Sequence, residues 1–167
     1  MTGWMPPAGE LPGPVATGVR WDAVRVRDWA VVTATLDRLG RDTGAVIADG
    51  RTGAAYWMVP PHAADTWPAM PDVTVLGPGD FVAVPPLRLT RGPGPHWLAP
   101  FFADAYLTDP DRLRDALQAA TAPAREAEAA SVLPGLTPEE RARRDQVLSA
   151  RLREVNHRST TGEVRPW

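Results

Sequence analysis

Apolar and polar positions alternate over residues 21–26, with Val24 and Val26 on one side and Arg25 and Arg27 on the other, which predicts a first strand. The period then changes to that of a helix. Trp29, Val32, Leu36 and Leu39 recur at helical spacing, Asp28 stands where an N-cap belongs, and Gly40 supplies the stop, so a helix is expected over 29–39. Residues 45–48 and 54–59 read as two strands joined by Asp49-Gly50-Arg51-Thr52-Gly53, whose turn chemistry predicts a hairpin. In the second of these, Tyr56 and Met58 alternate with Trp57 and Val59, so both faces are apolar, as in a central strand covered on each side. Pro60-Pro61 ends it, and residues 62–71 form a loop or short helix. Short strands follow at 73–76, 81–84 and 96–99. The expected core is Val24, Val26, Trp29, Val32, Leu36, Val46, Ile47, Tyr56, Trp57, Val75, Phe81, Val82 and Val84.

The second half of the chain turns helical. Asp109 caps and Pro110 opens a helix with a narrow apolar stripe of Leu113, Ala116, Leu117 and Ala120. An alanine- and glutamate-rich linker is expected over 122–136. A polar helix is expected over 137–158, begun by a capping box of Thr137 and Glu140, with a tail at 159–167. Its stripe of Leu148, Leu152 and Val155 is thin, while Arg141, Arg144, Arg151 and Arg158 share a face. That pattern suits docking on a partner or self-association. At the other end, Pro6, Pro7, Pro12 and Pro14 make residues 1–18 an extended arm, with Trp4 and Met5 as its expected anchors. Residues 19–121 then form the core domain. The class is α+β: a small mixed or antiparallel sheet packed by helices, with a C-terminal helical extension.

Composition adjusts this picture in a few places. With 44% hydrophobic residues in 167, one well-filled domain is expected, and 19 prolines with 14 glycines make it rich in loops. The net charge of −2 offers no global basic field for nucleic acid or anionic lipid. All 18 basic residues are arginine, and without lysine a Walker-type phosphate loop and Schiff-base chemistry are excluded. Cysteine is absent, which removes disulfides, thiolate metal sites and a cysteine nucleophile. Residues 1–14 carry neither the basic start nor the apolar segment of a signal peptide, and no apolar run approaches a membrane span. A cytoplasmic protein without membrane contact is the expectation.

Candidate chemistry is sparse. His62 and Asp65, three apart, can share a face, and Asp49 at a strand end is the strongest single carboxylate, so these three are the metal candidates. Asp49 is better explained as a hairpin turn residue. Asp22, Asp28, Asp72 and Asp80 are scattered near other strand ends. The Gly77-Pro78-Gly79 and Gly92-Pro93-Gly94-Pro95 segments do not match a phosphate-cradling fingerprint. Arg88, Arg91, His96 and Trp97 combine charge with a stacking surface, a patch suited to a nucleotide or a single strand. His157, near the end of the expected last helix, fits the helix dipole there.

The run Gly79-Asp80-Phe81-Val82-Ala83-Val84-Pro85-Pro86, with Gly92 and the returning Trp97, resembles the late motif of bacterial bifunctional primase/polymerase N-terminal domains. That family belongs to the archaeo-eukaryotic primase superfamily, and the resemblance implies an α/β scaffold that uses divalent metals held by carboxylates. It covers about a quarter of the chain. Where the family places an Asp-x-Asp pair this sequence offers only Asp49, followed by Gly50 and Arg51. The Ser-x-His strand is not found, and the apolar run Val73-Thr74-Val75 stands where a third acid is expected. The resemblance therefore implies a primase-like scaffold whose catalytic apparatus is gone. A non-catalytic interaction domain without cofactor is the leading expectation, with a protein partner or self-association. A nucleotide- or nucleic-acid-binding module is the alternative, and a metal-dependent phosphoryl-transfer enzyme around Asp49, His62 and Asp65 comes third.

Overall fold

The strand with two apolar faces, Ala54–Val59, is the middle strand of a five-stranded antiparallel sheet. This computed structural model describes residues 3–131 and residues 139, 142, 143, 146 and 147. In chain order the elements are β1 (Gly13–Ala16), β2 (Asp22–Val26), α1 (Trp29–Leu39), β3 (Val46–Asp49), β4 (Ala54–Val59), β5 (Val73–Leu76), β6 (Phe81–Val84), β7 (Pro95–Ala99) and α2 (Pro110–Ser131). The main sheet has the order β5-β2-β4-β3-β7, and β1 pairs with β6 in a separate antiparallel ribbon. The chain divides into two units, Met1–Glu126 and Ala127–Trp167, and all the strands lie in the first.

Strand alternation sends the two faces of the main sheet to different covers. Val24, Val26, Val46, Trp57 and Val59 pack against Val31, Val32 and Leu39 of α1 and against Leu113, Ala116 and Leu117 of α2. Ala23, Ile47, Met58 and Trp97 face the other way and pack against Val82 and Val84 of the ribbon, with Trp21. Burying one such aliphatic side chain contributes roughly 1.5–3 kcal/mol. Because β4 is buried on both faces, the sheet needs both layers.

Local signals fix α1. The Asp28 carboxylate accepts hydrogen bonds from the N–H groups of Ala30 (2.8 Å) and Val31 (3.4 Å), and Gly40, at φ 53°, closes the other end by donating to the Leu36 carbonyl. The buried stripe is Val31, Val32, Thr35 and Leu39. Trp29, expected in the core, lies on the flank of that stripe and is exposed.

A bulge sets the edge strand β7. Ile47 pairs with Trp97 but Val46 pairs with Ala99, so Leu98 is an extra residue in the ladder. That one insertion reverses the alternation. Trp97 enters the ribbon-side core and Ala99 the helix-side core, whereas in a regular strand both would face the same way.

Three further expectations change. The proline-rich arm contributes β1, which pairs with β6 from Gly13↔Val84 to Ala16↔Phe81. Its anchor is Trp4, whose ring contacts Trp21, Phe101 and Tyr106 at centroid distances of 5.4–5.5 Å, while Met5 stays exposed. Phe81 is 65% exposed, because Val82 and Val84 take the inward positions of a ribbon covered on one face only. The region expected as a linker from 122 is helical through Ser131, with Pro123 inside α2. A proline reads as a helix breaker, yet the ladder on both sides of it holds here. The expected polar helix 137–158 and tail 159–167 fall almost wholly outside the described residues.

Gly44 is a point of close approach. A Cβ there would lie 2.5 Å from the Tyr106 carbonyl oxygen and 2.7 Å from the Leu107 carbonyl carbon, where residues 106–108 cross the end of the hairpin. The Gly44 N–H donates to Thr108 Oγ1 at 3.0 Å, so the two backbones cannot simply part. Gly44→Ala is expected to lower the unfolding free energy in urea by about 1–3 kcal/mol. A change below about 0.5 kcal/mol, the ordinary surface value, would contradict the packing described.

Candidate functional site

The stretch from Gly77 to Trp97 connects the two sheets. The turn Gly77–Asp80 carries the chain from β5, an edge of the main sheet, to β6 in the ribbon. Asp80 closes the turn by accepting the Gly77 N–H at 3.1 Å, and its own N–H donates to the Gly77 carbonyl at 3.1 Å. Thr17, just after β1, donates to the Asp80 carbonyl from its N–H at 3.0 Å and to the Gly77 carbonyl from its hydroxyl at 2.5 Å. After Pro85-Pro86 the chain turns back, and the Trp97 N–H donates to the Leu89 carbonyl at 2.8 Å.

Trp97 is a peg in this return. It is 3% exposed, and its indole N–H donates to the Pro86 carbonyl at 3.1 Å. A tryptophan so buried leaves no ring face on which a base can stack. His96 Nδ1 lies 2.8 Å from the Gly94 carbonyl, a contact that fixes the ring to its own loop. Arg88 and Arg91 are exposed, and Arg88 shares an open cleft of about 270 Å³ with Glu10, Pro86 and Leu89. The four residues expected to form one charged and stacking patch are thus divided between core and solvent. Arg141, Arg144, Arg151 and Arg158 lie outside the described residues.

The outward face of the ribbon was not visible as a surface in the sequence. Inward positions Val15, Val82 and Val84 leave Pro14, Ala16, Phe81 and Ala83 pointing out, paired as Pro14↔Ala83 and Ala16↔Phe81. All four are exposed and none carries a charge. Leu11, 80% exposed, precedes the ribbon in the chain. The signal was the alternation itself, once β1 was known to pair.

The three metal candidates separate. Asp49 ends β3 opposite Ala54, at the start of β4, whereas His62 follows the other end of β4 past Pro60-Pro61. Five residue steps of strand, roughly 16 Å, lie between those ends. Asp49 also uses both carboxylate oxygens locally: Oδ1 accepts the Arg51 N–H at 3.0 Å and Oδ2 the Thr52 hydroxyl at 3.1 Å. It is a turn residue. His62 and Asp65 do come together, with Nδ1 3.0 Å from Oδ2. The acid that joins them is Asp22, at the start of β2, which pairs with Val59. Asp22 belongs to the scatter of aspartates near strand ends, and only the sheet register shows that it faces the turn after β4.

Comparison with protein-family models, with characterised proteins and with solved structures found no match to this chain.

The peg role of Trp97 has a measurable consequence. Trp97→Phe keeps most of the ring volume but removes the indole donor, leaving the Pro86 carbonyl with the Leu89 N–H alone at 3.0 Å. A loss of about 0.5–1.5 kcal/mol in unfolding free energy is expected for the one hydrogen bond removed, read from urea denaturation. Unchanged stability would show that the indole hydrogen bond does not hold the 85–97 loop.

Proposed function

We propose that this chain is a non-catalytic interaction domain, built on a primase/polymerase-like scaffold, that binds a second protein through the outward face of its β1–β6 ribbon. The observation that carries this reading is the uncharged apolar row Pro14, Ala16, Phe81 and Ala83, with Phe81 65% exposed. An aromatic ring held on a paired strand reaches a partner with little loss of side-chain freedom, and burial of such rings dominates the energy of many interfaces.

The chemistry of the face favours protein over nucleic acid. Phosphate recognition needs cations, and none of these four residues is charged. Trp97, the ring best suited to stacking, is a core residue. The non-catalytic part of the reading is supported by Asp49, the one residue offered for the family's acidic pair, whose carboxylate is taken up by its own turn. The scaffold part is supported by Phe81–Val84 being a strand stopped by Pro85-Pro86. The exposed row is narrow, so a transient complex is the expected form.

A photo-crosslinking amino acid placed at position 81 of the full chain tests this in cells. The expected result is a discrete adduct whose mass identifies the other chain, or a second copy. It should disappear with Ala83→Asp, while the thermal unfolding profile stays unchanged. The same crosslinker at Asp111, on the helical layer, should give no such adduct. Failure to form an adduct specific to position 81 would overturn the proposal.

A further inference from the structure

The Asp22 carboxylate is an unusual buried acid. Its side chain is fully enclosed, at 0% exposure. Oδ2 accepts the His62 N–H at 2.7 Å, but Oδ1 has no hydrogen-bond partner among the described residues. A buried carboxylate oxygen without a donor is costly unless a positive charge or a donor meets it. No arginine supplies that charge: the salt bridges formed by the described residues do not include Asp22.

His62 and Asp65 stand beside it. One ligand atom each from Asp22, His62 and Asp65 can be chosen so that all lie within 4.8 Å of one another. In tetrahedral zinc sites nitrogen and oxygen ligands sit about 2.0–2.2 Å from the ion, so neighbouring ligand atoms lie about 3.3–3.6 Å apart. The triad therefore needs to contract by up to about 1.5 Å at its widest spacing to reach a bound geometry. The side chains of His62 and Asp65 are 62% and 51% exposed, free to make that adjustment, while Asp22 is fixed. The backbone supports the placement. Pro60-Pro61 ends β4, His62 adopts φ 63°, and its N–H is tied to Asp22, so the turn presents the imidazole back toward β2. On the other flank Gly77 lies against the carboxylate; a Cβ there would stand 3.9 Å from Oδ1.

We infer that Asp22, His62 and Asp65 form a binding site for one divalent transition-metal ion of the zinc or manganese class, with water completing its coordination. An imidazole nitrogen among the ligands favours these ions over calcium and magnesium, which prefer oxygen alone. Bound metal satisfies the orphaned carboxylate and ties the turn after β4 to the first residue of β2. The site is independent of the ribbon face, and neither proposal rests on the other.

The test is a titration of the untagged full chain, freed of metal by chelation, with zinc followed by calorimetry and manganese by paramagnetic resonance. One ion per chain is expected, with a rise in the melting temperature. His62→Ala and Asp65→Asn change exposed side chains, so both variants should fold. Each removes a direct ligand, and since even outer contacts of a metal site are worth about 10–100-fold in affinity, each should raise Kd at least about tenfold. His96→Ala and His157→Ala should leave Kd unchanged. Asp22→Asn, read only if its circular dichroism matches the parent, should abolish binding. Absence of a saturable site below about 1 mM, or affinity retained in either His62→Ala or Asp65→Asn, would overturn the inference.

Discussion

The structure depends on burying β4 on both of its faces at once. Trp57 and Val59 go to one side and Met58 to the other, and none of them reaches water. A strand of that kind cannot lie in a sheet with a wet face. One consequence is the helical layer, where α1 and the first half of α2 supply Val32, Leu39, Leu113 and Leu117. The other is the ribbon, which brings Val82 and Val84 across the opposite face. The proline-rich arm is part of this second cover, because β6 alone is a four-residue strand and β1 is its only partner in the ribbon.

The same constraint explains where usable chemistry remains. The ribbon is a single layer, so half of its side chains must face outward, and those are Pro14, Ala16, Phe81 and Ala83. Trp97 goes inward for a related reason. The bulge at Leu98 lets β7 feed both cores, and the indole closes the ribbon-side one while bonding to Pro86. An aromatic residue that looks like a binding surface in the sequence is thereby drawn into packing. An aromatic residue that looks like core is left outside.

At the ends of the sheet, strand register decides which acids meet. Antiparallel pairing puts Asp22 opposite Val59 and Asp49 opposite Ala54, at opposite ends of β4. Asp49 is absorbed by its turn. Asp22 is enclosed with one oxygen unpaired among the described residues and with His62 and Asp65 at its side. Two aspartates, each at a strand terminus, thus reach different chemical states.

Much of this molecule was already written in local sequence. Asp28 and Gly40 bound α1, the Asp49–Gly53 turn makes the β3–β4 hairpin, and the double apolar face of 54–59 places that strand at the centre. These features involve residues near one another in the chain, so capping, turn chemistry and periodicity suffice to specify them. The α+β class follows from the same signals. What only tertiary structure decided were the pairings between distant segments: β1 with β6, Asp22 with the turn at His62, and the bulge that sends Trp97 and Ala99 to different cores. Register between strands far apart in sequence leaves no local trace. A shift of one residue exchanges inside for outside, which is why Phe81, expected in the core, lies outside and Trp97, expected on a stacking surface, lies inside.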